Sequence, residues 1–282
     1  MSTIDPPNTL TPKTPVGLGA PATLTPVTEA TTNPNNALIG YDNLLTQTTT
    51  TDARKALTPN TYERYTVQSG STSVKFQLST PAEINFIGLA AHTLGTHDGG
   101  IPLIAKYATS IGGGLTTFYS ATPNNNDALM VALSGLEGVN IAEVELSFTA
   151  STEGAELGVF YVGTSLEMQR SIYGGHSPAD LSQKTSYQST MSESGQFLGR
   201  TVTRRGSETS FSWQHLSPDW YRDNFQPFVQ SAVTKPFFIQ WKPSLYPLAT
   251  SYGFTAGDIK PSNMGGGNDL MSVSFNFKGH SD

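Results

Sequence analysis

Apolar and polar residues alternate with a period of two along most of this chain. In VKFQLS, Val74, Phe76 and Leu78 fall on one face, and in VELSFTA Val144, Leu146 and Phe148 do the same. Successive side chains of a strand point to opposite sides, so both segments predict half-buried β-strands. INFIGLAA (84–91) and ELGVFYVG (156–163) are continuously apolar, the pattern of strands covered on both faces. Glu143 and Glu145 alternate with the apolar face of their strand, which predicts a solvated strand face rather than a carboxylate pair for acid/base work. Residues 112–114 and 122–127 are turn or loop material without phosphate-cradle spacing.

Beyond a boundary placed near Gly163 the texture changes. SLEMQRSIYGGHSPADLSQKT suits a long connection, and FLGRTVTRRGSETSFSW predicts two short strands with a hairpin turn at Arg205-Gly206. FFIQW (237–241) and LMSVSFNF (270–277) predict further strands, the latter with Met271, Val273, Phe275 and Phe277 alternating. The period lengthens only in SPDWYRDNFQPFVQSAV, where Tyr221, Phe225, Phe228, Val229 and Ala232 follow helical spacing. Ser217 is the expected N-cap, Pro218 the first helical residue, and Asp219 lies near the positive end of the dipole. Pro227 predicts a kink or a split, because its ring does not fit a straight helix interior. Residues 243–269, dense in proline, glycine and tyrosine, read as one long loop. Its Tyr246, Tyr252 and Phe254 would anchor a protein contact, stack on a sugar, or cover the domain's own core.

Residues 1–36 hold seven of the 18 prolines and no aromatic residue. Such a segment buries too little apolar surface to order alone, and we expect an extended arm with Leu10, Val16, Leu18, Leu24 and Val27 as anchors on a neighbouring subunit. The whole reads as mainly β: an arm (1–36), a first β-domain (37–163) and a second β-rich domain with one short helix (164–282).

Composition narrows the function. Charged residues make up 13%, about half the usual share, and the net charge of −6 gives no basic footprint for nucleic acid. The absence of cysteine excludes thiolate metal sites and cysteine nucleophiles. The first twenty residues lack the pattern of an ordinary secretion signal, and no run reaches the roughly 18 apolar residues of a membrane span. No standard enzyme signature occurs, so we expect no catalytic residue and no cofactor. His92, His97 and Asp98 sit together in NFIGLAAHTLGTHDGG, but two histidines do not complete a zinc tetrahedron. His176 and His215 define no triad by sequence. Arg200, Arg204, Arg205 and Arg222 gather around the hairpin and helix, where interdomain or intersubunit ion pairs are preferred over an anion site.

The run from NLLTQTTTTDARKAL to INFIGLAAHTLGT, with Thr61, Tyr62 and Tyr65 in its threonine-aromatic segment, resembles the front of discoidin-like, galactose-binding-like jelly rolls. That resemblance covers roughly residues 37–164 and implies a jelly-roll β-sandwich. Tyr65 stands where a tryptophan is more usual. In such a fold His92 closes a core strand and HTLGTHDGG leaves it, with His97, Asp98 and Tyr119 as candidate contacts to a glycan or cation.

In the second half LEMQRSIYGGHSP, SGQFLGRTVTRRG, NFQPFV, KPFFIQWKPSLYP, GDIKPSNMGG and LMSVSFNFKG, in that order, resemble a family of virion structural proteins from the tail gene region of tailed bacteriophages. The resemblance implies a distal-tail or tail-tip subunit, homo-oligomeric, in contact with other tail proteins, assembled in the host cytoplasm. Host adhesion through a surface glycan is the alternative it leaves open.

Overall fold

The computed structural model describes residues 35–67, 72–96, 100–148, 154–265 and 269–280. Among the described residues seventeen strands form three sheets. The segment 37–163 supplies every strand of two of them. A five-stranded sheet runs in the order β2 (Leu45–Thr48), β4 (Thr72–Ala82), β9 (Ile141–Phe148), β6 (Leu103–Ala108), β7 (Thr116–Ala121). A four-stranded sheet runs β3 (Tyr65–Thr66), β10 (Glu156–Gly163), β5 (Phe86–His92), β8 (Leu129–Ala132). Val74, Phe76, Val144 and Leu146 from the first sheet meet Ile87, Leu89, Phe160 and Val162 from the second in one core. This is the expected jelly-roll sandwich, closed at one end by a short 3-10 helix, Thr51–Leu57, with Ala53 and Ala56 buried. No helix among the described residues is long and apolar enough to cross a membrane.

The third sheet has eight strands. Its order is β11 (Ser165–Glu167), β1 (Leu38–Gly40), β14 (Phe237–Gln240), β15 (Thr250–Thr255), β17 (Met271–Gly279), β13 (Phe197–Leu216), β12 (Gln183–Met191), with β16 (Lys260–Asn263) also on β17. Strand β1, inside the expected 37–163 segment, pairs with β11 and β14, so residues 38–40 join the eight-stranded sheet before the chain builds the jelly roll.

One face of the eight-stranded sheet packs on the helix. Phe211, Trp213, Phe275 and Phe277 from the sheet meet Phe225 and Phe228, and ring centroids 4.9–6.1 Å apart link Phe228, Phe237 and Phe275. The other face turns to the jelly roll. Leu38, Phe238 and Tyr252 cover Phe86, Ala90, Val159 and Tyr161 on the outside of the four-stranded sheet. This explains why β5 and β10 read as continuously apolar: each has a core on both sides. Gly88 makes the contact close, since a Cβ there would lie 2.8 Å from the Phe238 ring.

The helix begins as predicted. Ser217 Oγ accepts from the Trp220 N–H at 3.4 Å and Pro218 occupies the first turn. Pro227 does not end it, and a change of helix type precedes it. The α-turn Pro218–Trp220 passes through a π-turn, Tyr221–Phe225, into the α-helix Gln226–Ala232. The wider turn lets the Gln226 N–H reach the Tyr221 carbonyl, and it relieves the clash a proline imposes on the preceding turn.

Two strand expectations are corrected. Arg205-Gly206 is not a turn: both residues lie within the 20-residue β13, opposite Thr185 and Lys184. The turn is at 192–196, where Ser192 N–H bonds to Gln196 O and Gly195 takes φ +82. Residues 243–269 are not one irregular loop either, because β15 and β16 lie inside them.

Candidate functional site

Two jelly-roll connections lie side by side at one end of the sandwich. The β5–β6 loop donates from the Gly95 N–H to Asn126 Oδ1 at 3.0 Å, and Asn126 Nδ2 donates to Thr96 Oγ1 at 2.7 Å in the β7–β8 loop's other direction. Gly95 is required here, since a Cβ would fall on the Asn125 backbone. His97 and Asp98 lie outside the described residues, as do Leu10, Val16, Leu18, Leu24 and Val27.

Beside these loops Tyr119 opens on a pocket of about 170 Å³ lined by His92, Pro123, Asn125, Asp127 and Leu248 among others. Tyr119 is 4% exposed, and its hydroxyl meets no hydrogen-bonding group of the described protein. Burial pushes its phenol well above the ordinary value. His92 Nδ1 accepts from the Leu94 N–H at 3.4 Å, which makes Nε2 the protonated nitrogen of the neutral ring. Asn125 Nδ2 donates to Asp127 Oδ2 at 2.6 Å, holding the carboxylate at the rim.

The second half supplies the remaining wall. Buried Gln240 places its Nε2 at 2.8 Å from Met130 O, 2.6 Å from Pro247 O and 2.9 Å from Thr250 Oγ1. One amide thus ties strand β8 of the jelly roll to the 247–248 loop, whose Leu248 is 52% exposed. Its signal in the sequence was a glutamine in an otherwise apolar FFIQ. The pocket brings together a phenol, an imidazole and a carboxylate against apolar walls. Among the described residues no group of three or more His, Asp or Glu side chains is placed to hold a metal ion.

On the far side of Asp127 and Ala128 lies a second, more polar cleft of about 180 Å³ between the two halves, lined by Asp180, Arg205, Ser207 and His280. Partial burial raises the Asp180 carboxyl above its ordinary value; a hydrogen bond from its own backbone N–H opposes this, and the negative charge of Asp127 adds to it.

The ribbon β12–β13 is the other unusual surface. Beyond Ser207, where β13 leaves β17, the two strands pair only with each other. Tyr187 stands opposite Val202, and Met191 opposite Phe197, and directly opposed residues of an antiparallel pair share a face. All four are exposed, at 54%, 41%, 63% and 63%. The reverse face carries Lys184, Ser186, Gln188 and Thr190. Arg200 lies over the Tyr187 ring at 4.4 Å and donates from Nε to Ser189 Oγ. The sequence held this signal in YQSTM and FLGRTV, but the misplaced turn hid it.

The other candidate residues separate. Tyr252 is no exposed anchor: it is 2% exposed, its ring 4.7 Å from Phe238, its hydroxyl donating to Pro59 O at 3.0 Å. Tyr246 is half exposed and stacks on Trp241 at 5.0 Å, while Phe254 is 47% exposed. His176 packs between Phe211 and Trp241, and exposed His215 lies elsewhere, at the end of β13. Arg222 pairs with Asp219 of its own helix at 3.5 Å rather than across the halves. Glu143 and Glu145 are not solvated. They are 1% and 5% exposed because β9 is the central strand and the stems of Lys75 and Lys106 close over it. Lys75 Nζ reaches Glu143 Oε1 at 2.8 Å, and Lys106 Nζ reaches Glu145 Oε1 at 3.2 Å.

No family model and no curated protein matches this chain. Solved structures do. A pectin-binding carbohydrate-binding module is similar over 43% of this chain and 91% of its own, at 10% identity and a TM-score of 0.35. CBM32-1 from a family 31 glycoside hydrolase of Clostridium perfringens matches over 46% and 95%, at 7% identity and 0.34. An F5/8 type C domain from Bacteroides fragilis matches over 39% and 78%, at 12% identity and 0.31. With every TM-score below 0.5, the sandwich rests on its own strand order and register.

Proposed function

We propose that this protein is a non-enzymatic structural subunit that works by assembly. The observation that carries the reading is the β12–β13 ribbon. A monomer gains nothing from holding Tyr187, Met191, Phe197 and Val202 in water on one face of a two-stranded ribbon, and such patches mark contact surfaces. Strand β12 is also an uncovered sheet edge carrying a single charge, Lys184, and no proline to guard it. In keeping with the resemblance of the second half, the assembly is the tail of a bacteriophage, at its distal end or tip. The test is immuno-electron microscopy of purified virions with an antibody against this chain. Label on the tail is the expected result, and virions that lack the chain would sink the reading.

A second reading is favoured by the Tyr119 pocket: recognition of a host-surface glycan. An unpartnered phenol, an imidazole N–H and a carboxylate facing apolar walls match the mixed faces of a sugar ring. A glycan-array signal weakened about tenfold in Tyr119→Phe, as expected for one lost hydrogen bond, supports it. A blank array across host polysaccharides counts against it.

A further inference from the structure

We infer that the β12–β13 ribbon docks on the body of a second copy of this chain, head to tail, and not on another ribbon. The inference rests on the assembly reading and names its partner. Charge decides between the two modes. Between residues 183 and 207 the ribbon carries Lys184, Arg200, Arg204 and Arg205 against one acid, Glu193, on a chain whose net charge is −6, so the body is more acidic than the whole; Lys184 pairs with Glu208 at 3.5 Å, and Arg200, opposite Ser189, lies on the apolar face. Two ribbons face to face would oppose arginines to arginines. A ribbon on a body meets the opposite sign.

The body offers a matching surface. Among the described residues Leu245, Tyr246 and Leu248 form its one run of closely spaced exposed large apolar side chains, at 59%, 50% and 52%. Leu248 belongs to the same pocket wall as Asp127, and Asp127 and Asp180 both line the adjoining cleft. Apolar side chains beside Asp127, which Asn125 holds at the pocket rim, complement an apolar ribbon face that carries Arg200. The run is held rigid by Gln240 and by the stack of Tyr246 on Trp241, so little ordering is lost on docking. A contact between two different patches is heterologous and closes into a ring when its rotation allows.

The test uses the full chain and three variants: Tyr187→Ser with Phe197→Ser, Arg200→Glu, and Leu245→Ser with Tyr246→Ser. All sites are exposed, so thermal unfolding should be unchanged, which checks the fold. Sedimentation velocity of the wild type is expected to show a discrete oligomer, weakened by salt and weakened at least tenfold in each variant. Capture then fixes the mode. Immobilised ribbon variant, whose body is intact, is expected to hold soluble wild type, whereas immobilised ribbon variant offered soluble ribbon variant, with no intact ribbon on either copy, holds nothing. Failure of the immobilised ribbon variant to hold wild type would mean ribbon-to-ribbon pairing and overturn the inference. A wild type monomeric at every concentration would also overturn it, while tail label in virions would leave the assembly reading standing.

Discussion

At the scale of the residue, alternation tells which face a side chain takes but not what lies over that face. Glu143 and Glu145 are the instance: their outward direction was legible, and their burial under Lys75 and Lys106 depends on residues 68 and 39 positions away. Desolvation pushes the Glu143 carboxyl up, but the hydrogen bonds from Lys75 and Gln77, the Lys75 charge and the Gly112 N–H outweigh it, and the net shift is downward. The hydrogen bond to Glu143 raises Lys75, against a smaller desolvation effect. A carboxylate depressed on folding stabilises above its unfolded value near 4.5 and loses that contribution as pH falls through the folded value. A lysine raised on folding stabilises below its unfolded value of 10.5 and loses its contribution as pH rises through the folded value. Denaturant titrations of Glu143→Gln are therefore expected to show a loss of about 1–2 kcal/mol at neutral pH, the exposure of Lys75 keeping it modest. That difference should shrink below about pH 4.5, and an unchanged gap at pH 3 would refute the pairing account. Gln240→Ala removes the amide from three acceptors at once. It is expected to cost about 1–3 kcal/mol and to weaken any ligand of the Tyr119 pocket, read by titration against the wild type.

At the scale of the element, most strands and the helix were legible because each carries its own period. The helix start was fixed by local chemistry, Ser217 and Pro218, and the structure adds that Gln169 grips the same cap. Its Oε1 accepts from the Ser217 N–H at 2.8 Å and its Nε2 donates to Ser217 Oγ at 3.1 Å. Ser217→Ala is expected to lose about 1 kcal/mol by thermal or denaturant unfolding. Ser217→Asp, which keeps an acceptor at the cap, should recover part of it, and equal losses in both would place the effect outside the cap. The turn was misread because Arg205-Gly206 carries the stronger dipeptide signal, whereas the true turn is marked only by Gly195. Strands β15 and β16 were missed for a related reason: TSYGFT and KPSN contain the glycine and proline that punctuate loops, and only pairing with β14 and β17 holds them extended.

At the scale of the whole molecule, the two halves were legible as separate textures, but their union was not. Strand β1 precedes the jelly roll in sequence and pairs with residues 165–167 and 238–240, contacts that no local pattern encodes. The jelly roll in turn leaves Phe86, Ala90, Val159 and Tyr161 on an outer face that only Leu38, Phe238 and Tyr252 cover. Phe238 is fully buried at this junction, with the Tyr161 ring at 5.5 Å and the Tyr252 ring at 4.7 Å. A truncation of a buried phenylalanine costs about 3–5 kcal/mol. If the halves fold as one unit, Phe238→Ala should lower the midpoint of a single calorimetric transition and leave it single, because the lost contacts belong to both cores. If they fold independently, the wild type should already show two transitions, and the variant should move one without the other. The shared strand and the shared aromatic layer require the first outcome.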